Sequence, residues 1–174
     1  MVDLRAHIRD IPDFPKPGIV FKDITPLLLD AEALAAAIGG LVDYARPLGI
    51  DLVVAAEARG FILGGAIADA LGAGFVPARK PGKLPSKTVS AEYILEYGVD
   101  ALEVHADALA QGARVLVHDD LLATGGTARA LCELVEKLGG HVMGCAFLVE
   151  LAFLGGRERL SPFDVQALVA YDAE

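Results

Sequence analysis

At 174 residues the chain has the length of one domain and can bury about two-thirds of its unfolded surface. Its 54% hydrophobic content stands beside 22% charged residues, with the apolar share spread along the chain as short Ala and Val, as in a compact α/β protein. No apolar stretch reaches the roughly 18 residues of a membrane-spanning helix, and a formal charge of -9 disfavours a general nucleic-acid or anionic-membrane surface.

The start, MVDLRAHIRD, lacks the apolar core of a signal peptide, so a cytoplasmic location is expected. The stretch IPDFPKPGIVFKDITPLL carries four prolines between 12 and 26 and is expected to lack regular structure. It serves either as an arm around the core or as a small hood over the carboxyl ends of the strands, where open α/β sheets bind ligands. Asp30 is the N-cap of a helix running to about Arg46, ended by Pro47 and Gly49. DLVVAA, 51–56, reads as a buried strand, 61–71 as a helix stopped by Gly72, and GFVPAR, 74–79, as the next strand.

The run RKPGKLPSK then places four positive charges and no negative one in an otherwise acidic chain, either as a solvated loop or to capture a small polyanion. AEYILEYG and ALEVHADAL alternate like the two strands of a hairpin. RVLVHDD, 114–120, is a strand entering a loop, 126–138 a helix closed by Gly139 and Gly140, and HVMGCAFLVEL and DVQALVAY are two further strands. Alternating strands and helices predict a central, mainly parallel sheet flanked by helices in a single domain, 1–174. Cys132 and Cys145 lack CxxC spacing, and Cys132 reads as a small buried thiol. His118 stands at a strand end, where a lone His is more often structural than catalytic, and His7, His105 and His141 are assigned no chemistry.

The strongest signal is VLVHDDLLATGGTA, 115–128: an apolar strand, two carboxylates, then a small-residue loop opening a helix. Backbone N–H groups of Ala123, Thr124, Gly125, Gly126 and Thr127, with the two Thr hydroxyls, can enclose a phosphate at the positive helix end. Asp119 and Asp120 are placed to accept hydrogen bonds from ribose hydroxyls. Neither GxGxxG nor GxxxxGK[ST] occurs, so the dinucleotide and P-loop readings lose their fingerprints.

This motif closely resembles the phosphoribosyl-pyrophosphate loop of type I phosphoribosyltransferases, and the resemblance extends over nearly the whole chain. FPKPGIVFKDITPLL is similar to the hood of the adenine-using members, EARGF to their pyrophosphate loop, and RKPGKLP followed by YILEYG to their mobile catalytic loop. The resemblance implies the type I α/β fold, with a hood over about 1–30 and a mobile loop over about 80–96. It implies a homodimer in purine salvage that uses magnesium and joins adenine to phosphoribosyl pyrophosphate, giving AMP and pyrophosphate.

The same resemblance implies that Phe21 stacks on the purine, with Leu151 on the other side and backbone groups around Val20 and Lys22 reading its edge. It suggests a cis peptide between Glu57 and Ala58 that turns backbone amides toward pyrophosphate. Arg59, Lys80 and Lys83 then take up leaving-group charge, Glu96 manages the imidazole proton of the purine, and Tyr97 adds to substrate binding. Magnesium is expected to be held mainly by substrate oxygens and water, with no protein ligand cluster. Two positions depart from the family: His118 stands where an aliphatic residue is usual, and Lys22 replaces an Arg of some relatives. A 6-oxopurine acceptor would use the same phosphoribosyl loop, but the hood motif argues against it. A non-catalytic regulator that senses phosphoribosyl pyrophosphate and binds nucleic acid should bring a basic face or a DNA-binding extension, and this acidic chain offers neither.

Overall fold

A computed structural model describes residues 2–95 and 98–173. The chain begins with β1 (Arg9–Ile11), β2 (Phe21–Asp23), α1 (Thr25–Leu29) and α2 (Ala31–Ala45). Then come β3 (Leu52–Ala56), α3 (Gly60–Leu71), β4 (Gly74–Ala78) and the pair β5 (Thr88–Leu95) and β6 (Gly98–His105). The rest is β7 (Arg114–Leu122), α4 (Gly126–Lys137), β8 (His141–Leu151), α5 (Gly156–Arg159) and β9 (Val165–Tyr171).

Five strands form one parallel sheet in the order β4-β3-β7-β8-β9. Their near-continuous apolar sequences follow from burial on both faces. Alternation sorts the side chains: Val54, Val115, Val117 and Phe147 pack with α4 and the β5–β6 hairpin, whereas Val53, Leu116, Ala146 and Leu148 pack with α2 and α3. α2 starts at the expected N-cap, since the Asp30 carboxylate accepts the Ala33 N–H at 2.9 Å. On α3, Leu63 and Ile67 are fully buried, each contributing about 1.5–3 kcal/mol of transfer free energy.

The expected irregularity of the proline-rich N-terminal stretch is corrected. β1 and β2 pair antiparallel, Arg9 with Asp23, Asp10 with Lys22 and Ile11 with Phe21, and α1 follows directly. Pro12, Pro15 and Pro17 all fall in the connection between the two strands, and Pro26 sits in the first turn of α1. None is placed where a ladder or helix needs its missing N–H. Ile8 and Ile24 anchor this small hairpin in the α2 side of the core.

The predicted second hairpin forms from β5 and β6, from Thr88 opposite His105 to Leu95 opposite Gly98. An antiparallel bridge between Arg79 and Glu103 ties it to the chain just beyond β4. Residues 88–95 of the expected mobile loop are therefore strand. Cys132 and Cys145 are both buried free thiols, as expected for Cys132, with sulfurs 3.7 Å apart between α4 and β8.

Candidate active site

A cleft of about 300 Å³ opens at the carboxyl ends of β3 and β7, where a parallel sheet of this kind offers its ligand site. Beyond β3 the chain runs through a cis Glu57–Ala58 peptide to Arg59 and enters α3 at Gly60. A Cβ at Gly60 would lie 2.8 Å from Asp119 Oδ1, so the start of α3 approaches β7 more closely than any side chain permits. That approach brings Arg59 to the paired carboxylates.

Asp120, 4% exposed, accepts from Arg59 Nε at 2.5 Å. Asp119 Oδ1 accepts the backbone N–H of Asp120 at 2.9 Å. Desolvation, reinforced by the neighbouring Asp120 charge, pushes the Asp119 carboxyl well above the usual carboxylate range. The cleft thus balances Asp120 with Arg59 and leaves Asp119 costly to ionise.

After β7, Ala123, Thr124 and Gly125 bend into α4, with Thr127 on the cleft wall. Gly125 has φ 81°, and a Cβ there would come 2.6 Å from the Gly156 carbonyl oxygen. A Cβ on Gly156 would in turn collide with the Ala123 carbonyl. The loop therefore rests backbone to backbone on the Gly155–Gly156 turn, a support the sequence reading missed although the paired glycines were its signal. Gly125 also brings no side chain to cap α4, leaving the first-turn N–H groups to an outside acceptor.

The basic run is held by carboxylates remote in sequence. Glu57 accepts the Lys80 backbone N–H and pairs with Lys83 at 3.2 Å and Arg79 at 3.4 Å. Burial alone would raise the Glu57 carboxyl, but these hydrogen bonds outweigh it and hold the group below its ordinary range. Lys80 Nζ donates to Asp100 and, at 3.0 Å, to the Tyr93 hydroxyl.

On the hood side, the half-buried Phe21 ring meets Phe14 edge-on at 5.2 Å between centroids. The Arg59 guanidinium carbon lies 5.2 Å from the Phe21 centroid, so one side chain spans from Asp120 to the hood. Lys22 turns the other way. It is 5% exposed, bonds Asp10 at 2.8 Å and lies over Tyr171 at 4.2 Å.

The cleft thus joins Glu57, Ala58, Arg59, Lys80, Asp119, Asp120 and Thr127, with Lys83 linked through Glu57 and Phe21 through Arg59. Ala123, Thr124, Gly125 and Gly126 adjoin it in the bend. Val20, Lys22 and Leu151 lie outside its lining, Leu151 packing on the α2 side at the end of β8. Glu96 and Tyr97 lie outside the described residues. His118 is structural in its surroundings: Nδ1 is 2.8 Å from the Ala146 carbonyl, and burial pushes its pKa down to about 4.

A hard divalent cation prefers oxygen donors and retains ligand and water oxygens in its shell. The adjoining carboxylates of Asp119 and Asp120 fit such a shared ion, while no group of three or more His, Cys, Asp or Glu among the described residues could hold one alone.

The phosphoribosyl transferase domain model matches residues 23–165. A protein of Rubrobacter xylanophilus named adenine phosphoribosyltransferase is 59% identical over 97% of this chain and 91% of its own length. The crystal structure of adenine phosphoribosyltransferase from Thermoanaerobacter pseudethanolicus superposes with a TM-score of 0.94 at 54% identity, covering 97% of this chain and 98% of that one. The Saccharomyces cerevisiae adenine phosphoribosyltransferase, complexed with adenine and an imino-altritol bisphosphate, gives 0.91 at 38% identity over 95% of this chain and 96% of the other.

Proposed function

This chain belongs to the phosphoribosyl transferase domain family, and we propose that it transfers the 5-phosphoribosyl group of phosphoribosyl pyrophosphate to adenine, giving AMP and pyrophosphate in purine salvage. It is a pentosyl-transferring enzyme with the type I fold. The observation that carries the site assignment is the adjacency of Asp119 and Asp120 to the bend that opens α4, with Arg59 crossing from Asp120 to Phe21.

In this reading the 123–127 backbone holds the 5-phosphate at the α4 N-terminus, and Asp119 and Asp120 accept from the ribose hydroxyls. The anomeric carbon loses its bond to a pyrophosphate oxygen, whose electron pair leaves with it, and gains a bond to a purine ring nitrogen. Charge therefore builds on the leaving group, where Arg59, Lys80 and Lys83 are within reach of the cleft. Phe21 supplies a flat face for the base, Leu151 packs from the other side, and backbone around Val20 and Lys22 reads its edge. The buried Lys22 side chain supports a backbone role at that position. Glu96 takes the imidazole proton and Tyr97 adds to binding, both by their place in the LEYG motif. A magnesium ion would be held mainly by substrate oxygens and water, with Asp119 and Asp120 as the adjoining protein carboxylates, and would supply positive charge to the pyrophosphate.

The hood over about 1–30, a lid over about 80–96, a homodimer and a cytoplasmic location belong to the same reading. Among the described residues no helix is long and apolar enough to cross a membrane. The test is to incubate the purified protein with phosphoribosyl pyrophosphate, magnesium and each natural nucleobase. AMP from adenine is the expected product. Comparable kcat/KM with hypoxanthine or xanthine would replace the adenine assignment with a 6-oxopurine one, and no nucleotide from any base would remove the catalytic reading.

A further inference from the structure

Lys80 is restrained more closely than a loop lysine usually is. Its Nζ donates to the Asp100 carboxylate and to the Tyr93 hydroxyl at 3.0 Å, while Tyr93 donates to the same Asp100 oxygen at 3.2 Å. Tyr93 and Asp100 are directly opposed across the β5–β6 hairpin, so its register alone brings them together. Asp100 is itself fixed, because its second oxygen accepts the Ala101 N–H at 2.8 Å. Tyr93 is 9% exposed, yet the Lys80 side chain keeps 39% of its surface open at the cleft.

An ammonium group carries three donors, and Asp100 and Tyr93 occupy two of them. The third remains for a ligand. We propose that Asp100 and Tyr93 are positioning residues that aim the remaining Lys80 donor at the pyrophosphate portion of the substrate. Burial tends to discharge Lys80, but the Asp100 carboxylate more than compensates, so the amine stays cationic while it is held. A flexible four-carbon stem is thereby set in place before the substrate arrives, and its contribution grows as the pyrophosphate gains charge.

This inference rests on the transferase reading above, and its test separates the two. Asp100→Asn removes the charge but keeps the shape, and should lower kcat/KM for phosphoribosyl pyrophosphate about tenfold, as for loss of a charge-assisted contact. KM for adenine should stay within about twofold. Tyr93→Phe should show the same pattern at about threefold, the scale of a neutral hydrogen bond. In a Lys80→Ala background, Asp100→Asn should add less than about twofold, because its effect passes through Lys80. Calorimetric titration with magnesium pyrophosphate should show matching losses, about tenfold in Asp100→Asn and about threefold in Tyr93→Phe.

Additive losses in the Lys80→Ala background, equal losses for both substrates, or wild-type pyrophosphate binding in Asp100→Asn would each overturn the positioning role. If Asp100→Asn does not fold, Tyr93→Phe decides alone: wild-type pyrophosphate binding there overturns the role. Failure of the wild-type protein to form AMP would instead overturn the transferase reading.

Discussion

Thr127 and Lys80 line the same cleft, but backbone packing holds the segment of the first and side-chain ion pairs hold that of the second. The 123–127 bend lies against Gly156 with no room for a Cβ, so its shape can change only if the main chain moves. Asp100 keeps Lys80 in place, while the rest of the 79–83 segment is held by Glu57, a carboxylate whose pairing with Arg79 and Lys83 another anion can replace. The cleft thus has a fixed wall and an exchangeable one. On the transferase reading proposed above, the fixed wall suits the phosphate that stays with the product, and the exchangeable wall suits the group that departs.

The largest expected effect breaks the fixed wall. Gly125→Ala forces a side chain into a left-handed backbone and against the Gly156 carbonyl, and should cost about 2–5 kcal/mol of stability. A urea unfolding midpoint equal to wild type would show that the wall yields easily.

A pH titration of stability probes the strand behind that wall. His118 has a folded pKa of about 4 against an ordinary 6.5, so below 6.5 the unfolded chain takes up a proton that the native state refuses. Stability should therefore fall as pH drops from 6.5 toward 4, by about 3 kcal/mol in all. His118→Asn, uncharged throughout, should flatten that slope in urea unfolding at pH 7, 6 and 5. An unchanged slope would place the titration elsewhere.

Asp119→Asn with Asp120→Asn leaves both walls standing and removes what lies between them. Transition-state stabilisation should fall by about 2 kcal/mol or more, with adenine binding retained. Wild-type steady-state kinetics would exclude the ribose assignment.

The smallest effect sharpens the contrast on the exchangeable side. Glu57→Gln should release part of the hold on Lys83 and Arg79, about 1 kcal/mol or less at these partly exposed cations. Hydrogen exchange over residues 79–95 should rise in the empty variant and return toward the wild-type level with phosphoribosyl pyrophosphate and magnesium. Equal protection of the wild-type segment with and without ligand would remove the lid.

Legibility in the sequence follows the same division. The five sheet strands, the three long helices and the DD-to-TGGT bend were readable because each depends on residues close in sequence. EARG singled out Arg59 through its resemblance to a pyrophosphate loop, but the pairing with Asp120 joins residues 61 apart and was not read. Asp100 and Tyr93 escaped because their meeting depends on hairpin register, and Gly156 because its use appears only when two distant turns touch. The β1–β2 hairpin was hidden by prolines that stand between its strands rather than within them.

The buried Lys22 has a consequence for how the chain is made. It joins Asp10 of β1 to Tyr171 of β9, where Arg5 also stacks and donates to the Ala170 carbonyl. The first strand pair of the chain is thus fastened to its last strand, across more than 140 intervening residues. During synthesis Phe21 emerges early, but that fastening cannot be made until β9 has left the ribosome. The hairpin that carries Phe21 is consequently among the last parts to be secured, and a chain cut short before Val165 would lack its anchor.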